Sequence, residues 1–126
     1  MTQTNQVLVV EDEQIIRTAL KRLLERHDYD VSEAGSVQES MDQHNLDGFD
    51  LIISDLRLPG APGTDLIKAT TTPVVIMTSY SSIRSAIDSM KMGAVDYISK
   101  PFEHNEVIES VGRIIKENEG RINSHI

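Results

Sequence analysis

Cysteine is missing from this 126-residue chain, which excludes a disulfide framework and any thiolate metal site. Long hydrophobic runs are missing as well. The longest unbroken aliphatic stretches, such as Val7-Leu8-Val9-Val10, fall far short of the ~20 residues needed to cross a bilayer. The first residues, Met1-Thr2-Gln3-Thr4-Asn5-Gln6, lack the basic and apolar regions of a signal peptide, so the chain reads as a soluble, cytoplasmic protein. Basic charge is scarce. With 12 Lys and Arg against 20 Asp and Glu, the net charge of -8 opposes direct contact with a phosphate backbone, which needs clustered cations. If DNA is a target, another domain must touch it. The four histidines show no metal-ligand spacing, and the chain has no internal repeat or low-complexity tract.

What is present fits one globular domain: 39% hydrophobic and 25% charged residues at a length that supports one core. We expect that domain to span residues 1–126, with a core over about 6–117. Residues 118–126 are polar and weakly patterned, so they read as a frayed terminus or the start of a linker.

Along the core, compact apolar runs alternate with helical spacing in five rounds, the signature of βα units. Val7 to Val10 is a strand covered on both faces, followed by a helix carrying Ile15, Ile16, Ala19, Leu20, Leu23 and Leu24. Asp30 to Ala34 reads as an edge strand. Ser36 and Glu39 then form a capping box for a helix burying Val37 and Met41. Leu51-Ile52-Ile53 is a buried strand ending at Ser54-Asp55, after which Pro59, Gly60, Pro62 and Gly63 hold a loop open. A stunted helix near Asp65 to Ala69 is ended by Thr70-Thr71-Thr72-Pro73, because β-branched residues are weak helix formers and Pro disfavours αR in its predecessor. Val74 to Met77 is the fourth strand. Ile83, Ala86, Ile87 and Met90 mark the apolar face of a helix that stops at Gly93, and Val95 to Ser99 is the fifth strand. Val107, Ile108, Val111, Ile114 and Ile115 mark the last helix.

Parallel strands joined by right-handed helical crossovers give a three-layer α/β/α sandwich, with functional groups gathered past the carboxyl ends of the strands. Those positions hold Glu11, Asp12, Asp55, Thr78 and Lys100. Taken singly, each has an ordinary explanation: the acids as helix N-caps, Thr78 as a turn hydroxyl, Lys100 as a solvated surface charge and Tyr97 as a packed strand aromatic. Met77, Met90 and Met92 read as core or rim filler. Together the polar set is more specific. Carboxylates converging from two strand ends resist joint ionisation unless a cation compensates them, and an all-oxygen donor set favours a hard ion such as Mg²⁺. A carboxylate can also accept a phosphoryl group as a nucleophile when cations neutralise the charge that develops, a role open to Lys100 and the metal.

Four ordered segments carry a family resemblance: Leu8-Val9-Val10-Glu11-Asp12-Glu13, Ile53-Ser54-Asp55-Leu56-Arg57-Leu58-Pro59-Gly60, Met77-Thr78-Ser79, and Gly93-Ala94-Val95-Asp96-Tyr97-Ile98-Ser99-Lys100-Pro101-Phe102. With these the chain resembles the receiver domains of two-component response regulators, from Leu8 to about Lys116. The resemblance implies a flavodoxin-like (βα)5 fold with strand order 2-1-3-4-5. It also implies that Asp55 is phosphorylated by a sensor histidine kinase, with Asp12, Asp55 and the backbone carbonyl of Arg57 binding Mg²⁺ and Glu11 assisting largely through water. Thr78 would hydrogen-bond the phosphoryl group, Lys100 would pair with it, Tyr97 would swing inward, and Pro101 would follow a cis peptide bond. The readout would be the face built from the fourth helix, fifth strand and fifth helix. No turnover enzyme is implied, only self-phosphorylation at Asp55 and slow self-dephosphorylation.

The stretch Arg84 to Tyr97 is similar to receivers of activators that work with sigma-54 RNA polymerase, which implies a missing output part holding an ATPase and a DNA-binding module. Monomer and homodimer both stay open. The spacing from Asp55 to Thr78 is shorter than in the family, with the loss falling in the third helix, and Ser79 stands where the family has Gly or Ala. Other readings fit less well. A phosphatase or phosphomutase with an aspartyl nucleophile needs a second acid two residues on, where Arg57 stands. A receiver that has lost phosphorylation would lack Asp55 or Lys100, and a nucleotide-binding domain would need a Gly-rich loop after the first strand.

Overall fold

A computed structural model of the protein describes residues 4–79 and 82–123. Five parallel strands, β1 (Gln6–Val10), β2 (Asp30–Ala34), β3 (Leu51–Asp55), β4 (Val74–Thr78) and β5 (Asp96–Ser99), form one sheet in the order β2-β1-β3-β4-β5. Between and after them run α1 (Gln14–Glu25), α2 (Val37–Gln43), α3 (Asp65–Ala69), α4 (Ile83–Lys91) and α5 (His104–Asn123). The expected flavodoxin-like order and the shortened third helix are both found.

Side-chain alternation divides the core into two halves. Val7, Val9, Leu51, Ile53, Val75, Met77 and Ile98 face α1 and α5, where they meet Leu20, Leu23, Leu24, Val107 and Val111. Leu8, Val10, Ile52, Val74 and Ile76 face the other way, against Val37 of α2 and Leu66 of α3. Both faces of β1, β3 and β4 are therefore dry. That explains why these strands read as unbroken apolar runs.

Several expected burials fail. On α1, Ile15 is 86% exposed and Ala19 is exposed as well, because Ile16, Leu20, Leu23 and Leu24 already fill the stripe that faces the sheet. On α2 the inward residues are Val37 and Ser40, and Met41 lies on the rim. The capping box is half formed: Ser36 Oγ accepts from the Glu39 amide at 3.0 Å, but the Glu39 carboxylate accepts from the amide of Gly35.

The largest correction concerns α4. Ile83, Ile87 and Met90 point to solvent at 82%, 44% and 47% exposure, and Ser89 is the buried residue. Small residues, Ser85, Ala86 and Ser89, occupy the sheet-facing side and let the helix lie close to β5. Gly93 ends the helix as expected, with φ of +112° and the Ala94 amide bonded back to Ser89 O at 3.1 Å. Met77 is core and Met92 is rim, at 40% exposure. At the carboxyl end, α5 continues through residues 118–123, which the sequence pattern left as tail; residues 124–126 lie outside the described residues.

The threonines that stop α3 do more than fail as helix formers. Thr70 Oγ1 donates to the Asp47 carboxylate, the Thr71 amide donates to the same oxygen at 3.2 Å, and the Thr72 amide donates to Thr70 Oγ1 at 3.1 Å. Buried Thr72 Oγ1 lies 2.8 Å from Leu46 O and 3.2 Å from Phe49 O. The short helix is thus tied to the 3₁₀ turn at Leu46–Gly48 ahead of β3. The hydroxyl and amide donors hold the Asp47 carboxyl below its ordinary pKa.

Candidate functional site

The same alternation assembles the site. Counting by twos from Val7 and Val9 reaches Glu11, from Leu51 and Ile53 reaches Asp55, and from Ile98 reaches Lys100, so all three side chains emerge on the α1/α5 side. The ladder persists far enough to keep that phase: the Glu11 amide bonds to Ala34 O at 3.0 Å and the Lys100 amide to Thr78 O at 2.9 Å. Register does the rest. Val10 sits opposite Ser54, which places Glu11 beside Asp55 at the sheet's carboxyl edge.

Here Lys100 Nζ lies 2.7 Å from Glu11 Oε1 and 3.2 Å from Asp55 Oδ2. The three side chains are 7%, 3% and 9% exposed, respectively. The ordinary explanation of Lys100 as a solvated surface charge therefore does not hold: it is a buried bridge between two carboxylates. Burial pushes the Glu11 carboxyl above its ordinary pKa, and the neighbouring Asp55 charge adds to this, against the lowering by Lys100 and the Glu13 amide. Burial pulls Lys100 down, but contact with Glu11 and Asp55 outweighs it and leaves the ammonium raised, so it is charged at neutral pH.

Carboxylate oxygens of Glu11, Asp12 and Asp55 lie within 4.8 Å of one another, with Asp12 exposed at the mouth. The donor set fits a hard divalent ion: it is all oxygen, carries excess negative charge and opens to water on one side. Arg57, whose carbonyl the resemblance adds to the ligands, lies two positions past the end of β3 and is exposed. Thr78 is buried, 1% exposed, at the end of β4, and its side chain belongs by alternation to the opposite side from Lys100. Tyr97 is half-buried on β5, with its hydroxyl donating to Ser85 Oγ of α4 at 3.1 Å. The Lys100–Pro101 peptide is cis. Ser79 is exposed beside Thr78.

Two site residues escaped the sequence reading. The loop after β3 is not held open: Leu56, Leu58 and Ala61 pack on the core, and the Gly63 amide returns to Leu56 O at 2.9 Å. Gly63 passes so close that a Cβ there would lie 2.0 Å from Asp55 O and 2.5 Å from Ser54 Oγ. Only glycine permits this approach. The other is Arg17, whose Nη1 donates to Glu11 O at 2.8 Å. No local motif marks either contact.

Comparison with known proteins agrees with this geometry. The response regulator receiver domain family model matches residues 7–112. The transcriptional regulatory protein FixJ of Bradyrhizobium diazoefficiens is 30% identical over 94% of this chain, which spans 60% of that relative's length. A receiver domain protein from Clostridium thermocellum superposes with a TM-score of 0.83 at 27% identity, covering 91% of this chain and 97% of that one. A Burkholderia pseudomallei response regulator, solved with a phosphorylated aspartic acid and a calcium ion, gives a TM-score of 0.76 at 26% identity over 93% of this chain and 72% of its own. With fold, site and family match in agreement, the chain belongs to the response regulator receiver domain family.

Proposed function

We propose that this receiver is a phosphoacceptor switch in which Asp55 takes a phosphoryl group from a sensor histidine kinase. The observation that carries the reading is the meeting of Glu11, Asp12 and Asp55 with the Lys100 ammonium in one recess. An Asp55 carboxylate oxygen attacks phosphorus while the bond from phosphorus to the donor histidine nitrogen breaks, its electron pair staying on that imidazole. Lys100 neutralises charge on the transferred group, and the Thr78 hydroxyl hydrogen-bonds it. Asp12, Asp55 and the Arg57 carbonyl, with Glu11 assisting, would hold Mg²⁺, which would supply further charge compensation for the phosphoryl oxygens. Chemistry stays confined to Asp55 itself, as transfer in and slow hydrolysis out.

Phosphorylation puts a group of nearly two negative charges where the single charge of the Asp55 carboxylate stood, adds acceptor oxygens at one pole, and biases a two-state equilibrium. Thr78 moves toward the phosphoryl group and Tyr97 swings inward, leaving its Ser85 contact on α4. The readout is the face of α4, β5 and α5, where Ile83, Ile87 and Met90 stand apolar in water. Because the chain spans 60% of FixJ, a transcriptional regulator, the proposed output is a further domain controlling transcription. The stretch Arg84 to Tyr97 favours the sigma-54 type, with an ATPase and a DNA-binding module as partners in the same protein. No helix among the described residues is long and apolar enough to cross a membrane, which accords with a cytoplasmic partner for the kinase.

Incubation with acetyl phosphate and Mg²⁺ should add one phosphoryl group to the wild-type mass and none to Asp55→Asn. Undiminished labelling of the variant overturns the assignment.

A further inference from the structure

Glu11 is held at every polar atom. Its amide donates to Ala34 O, its Oε1 accepts from Lys100, its Oε2 accepts from the Glu13 amide at 3.1 Å, and its carbonyl accepts from Arg17 Nη1 at 2.8 Å. The neighbouring acid is different: Asp12 is exposed in the bend between β1 and α1, with no side-chain hydrogen bond among those the structure gives it. The peptide unit is planar, so the Glu11 carbonyl shares one rigid plate with the Asp12 amide and Cα. Whatever fixes that carbonyl fixes where Asp12 starts from.

We infer that Arg17 is a positioning residue for the metal site, clamping the Glu11–Asp12 peptide so that the Asp12 carboxylate stays aimed at Asp55. This rests on the metal reading given above. Arg17 suits the task because its guanidinium is itself aimed: Nε lies 3.3 Å from Glu33 Oε1 on β2, while Nη1 takes the carbonyl. Its side chain is only 21% exposed, and its own backbone amide returns to Glu13 O at 2.9 Å in the first turn of α1. One fork thus ties α1, β2 and the acid-bearing bend together. A lysine has a single ammonium and cannot hold both ends in this planar geometry.

Charge and position predict opposite signs, which makes the inference testable. Removing a cation beside an acidic cluster should, by Coulomb attraction alone, tighten Mg²⁺ binding. Loss of an outer contact that orients a ligand should weaken it, about tenfold or more. Lys21 is the control, since its Nζ lies 3.3 Å from the same Glu33 and its removal changes the net charge equally.

Mg²⁺ affinity should be measured by calorimetric titration on wild type, Arg17→Ala, Arg17→Lys and Lys21→Ala, with metal-free melting curves alongside. Both Arg17 variants should bind about tenfold more weakly, and Lys21→Ala should stay within about twofold of wild type. Arg17→Lys carries the comparison if Arg17→Ala does not fold. Affinity that is unchanged or raised in the Arg17 variants, or lowered equally in Lys21→Ala, overturns the positioning role alone. Wild-type protein that fails to bind Mg²⁺ overturns the metal reading and this inference with it.

Discussion

Replacing Lys100 with methionine should cost the metal-free protein a large part of its stability. Met keeps the apolar stem and deletes only the ammonium that lies 2.7 Å from Glu11 and 3.2 Å from Asp55. Two carboxylates, 3% and 9% exposed at their side chains, would then face each other without a cation. Removing one partner of a fully buried ion pair costs about 3–5 kcal/mol. The recess opens to solvent at Asp12, so the cost falls below that scale, to about 2–3 kcal/mol. For a domain of this size that corresponds to a melting temperature lower by about 8–12 °C. Mg²⁺ should narrow the gap, because the variant lacks the competing ammonium, binds the ion more tightly than wild type and so gains more stability at the same concentration. Acidification should also narrow it. Without the ammonium the folded carboxyl pair takes up a proton more readily than the unfolded chain, so the variant gains stability as pH falls from neutral. Thermal unfolding followed by circular dichroism, with chelator or excess Mg²⁺, reads all of this. A variant as stable as wild type in chelator would refute the bridge.

Gly63→Ala should destabilise the protein by about 1–3 kcal/mol and reduce phosphorylation, because its Cβ would meet Asp55 O at 2.0 Å and must displace the loop beside the acceptor; urea unfolding and acetyl phosphate labelling measure the two effects. Thr72→Val should cost about 1 kcal/mol in the same unfolding assay without changing labelling, since it removes a buried hydroxyl bonded to Leu46 O far from the acids. For Glu11 the folded pKa is raised above the ordinary value of 4.5, so ionisation opposes folding. Metal-free wild type should therefore lose stability relative to Glu11→Gln as pH climbs from about 4.5 through the raised value, with a constant difference below about 4.5; melting curves across that range would show no such trend if the carboxyl were unperturbed.

The sequence was most readable where one rule governs. Strands dry on both faces show as runs such as Val7 to Val10, and period-two alternation carries Glu11, Asp55 and Lys100 to one side of one edge. Reading failed where apolar character and burial part company. On α4 the outward residues are Ile83, Ile87 and Met90, while serines and an alanine pack inward, so the amphipathic pattern points away from the core. Contacts between distant residues were also hidden. Asp47 with Thr70 is a pairing across 23 positions, and Gly63 against Asp55 is a steric fact that composition does not encode. Lys100 was misjudged for the same reason: its burial depends on Glu11, 89 residues earlier in the chain.

Solving the protein with Mg²⁺ and beryllofluoride, which mimics the acyl phosphate, tests the account most directly. The beryllium should be bonded to an Asp55 carboxylate oxygen, with Lys100 and Thr78 on its fluorides and the ion touching Asp12, Asp55 and the Arg57 carbonyl. Beryllofluoride bound elsewhere, or a cation that ignores Asp12 and Asp55, would contradict it.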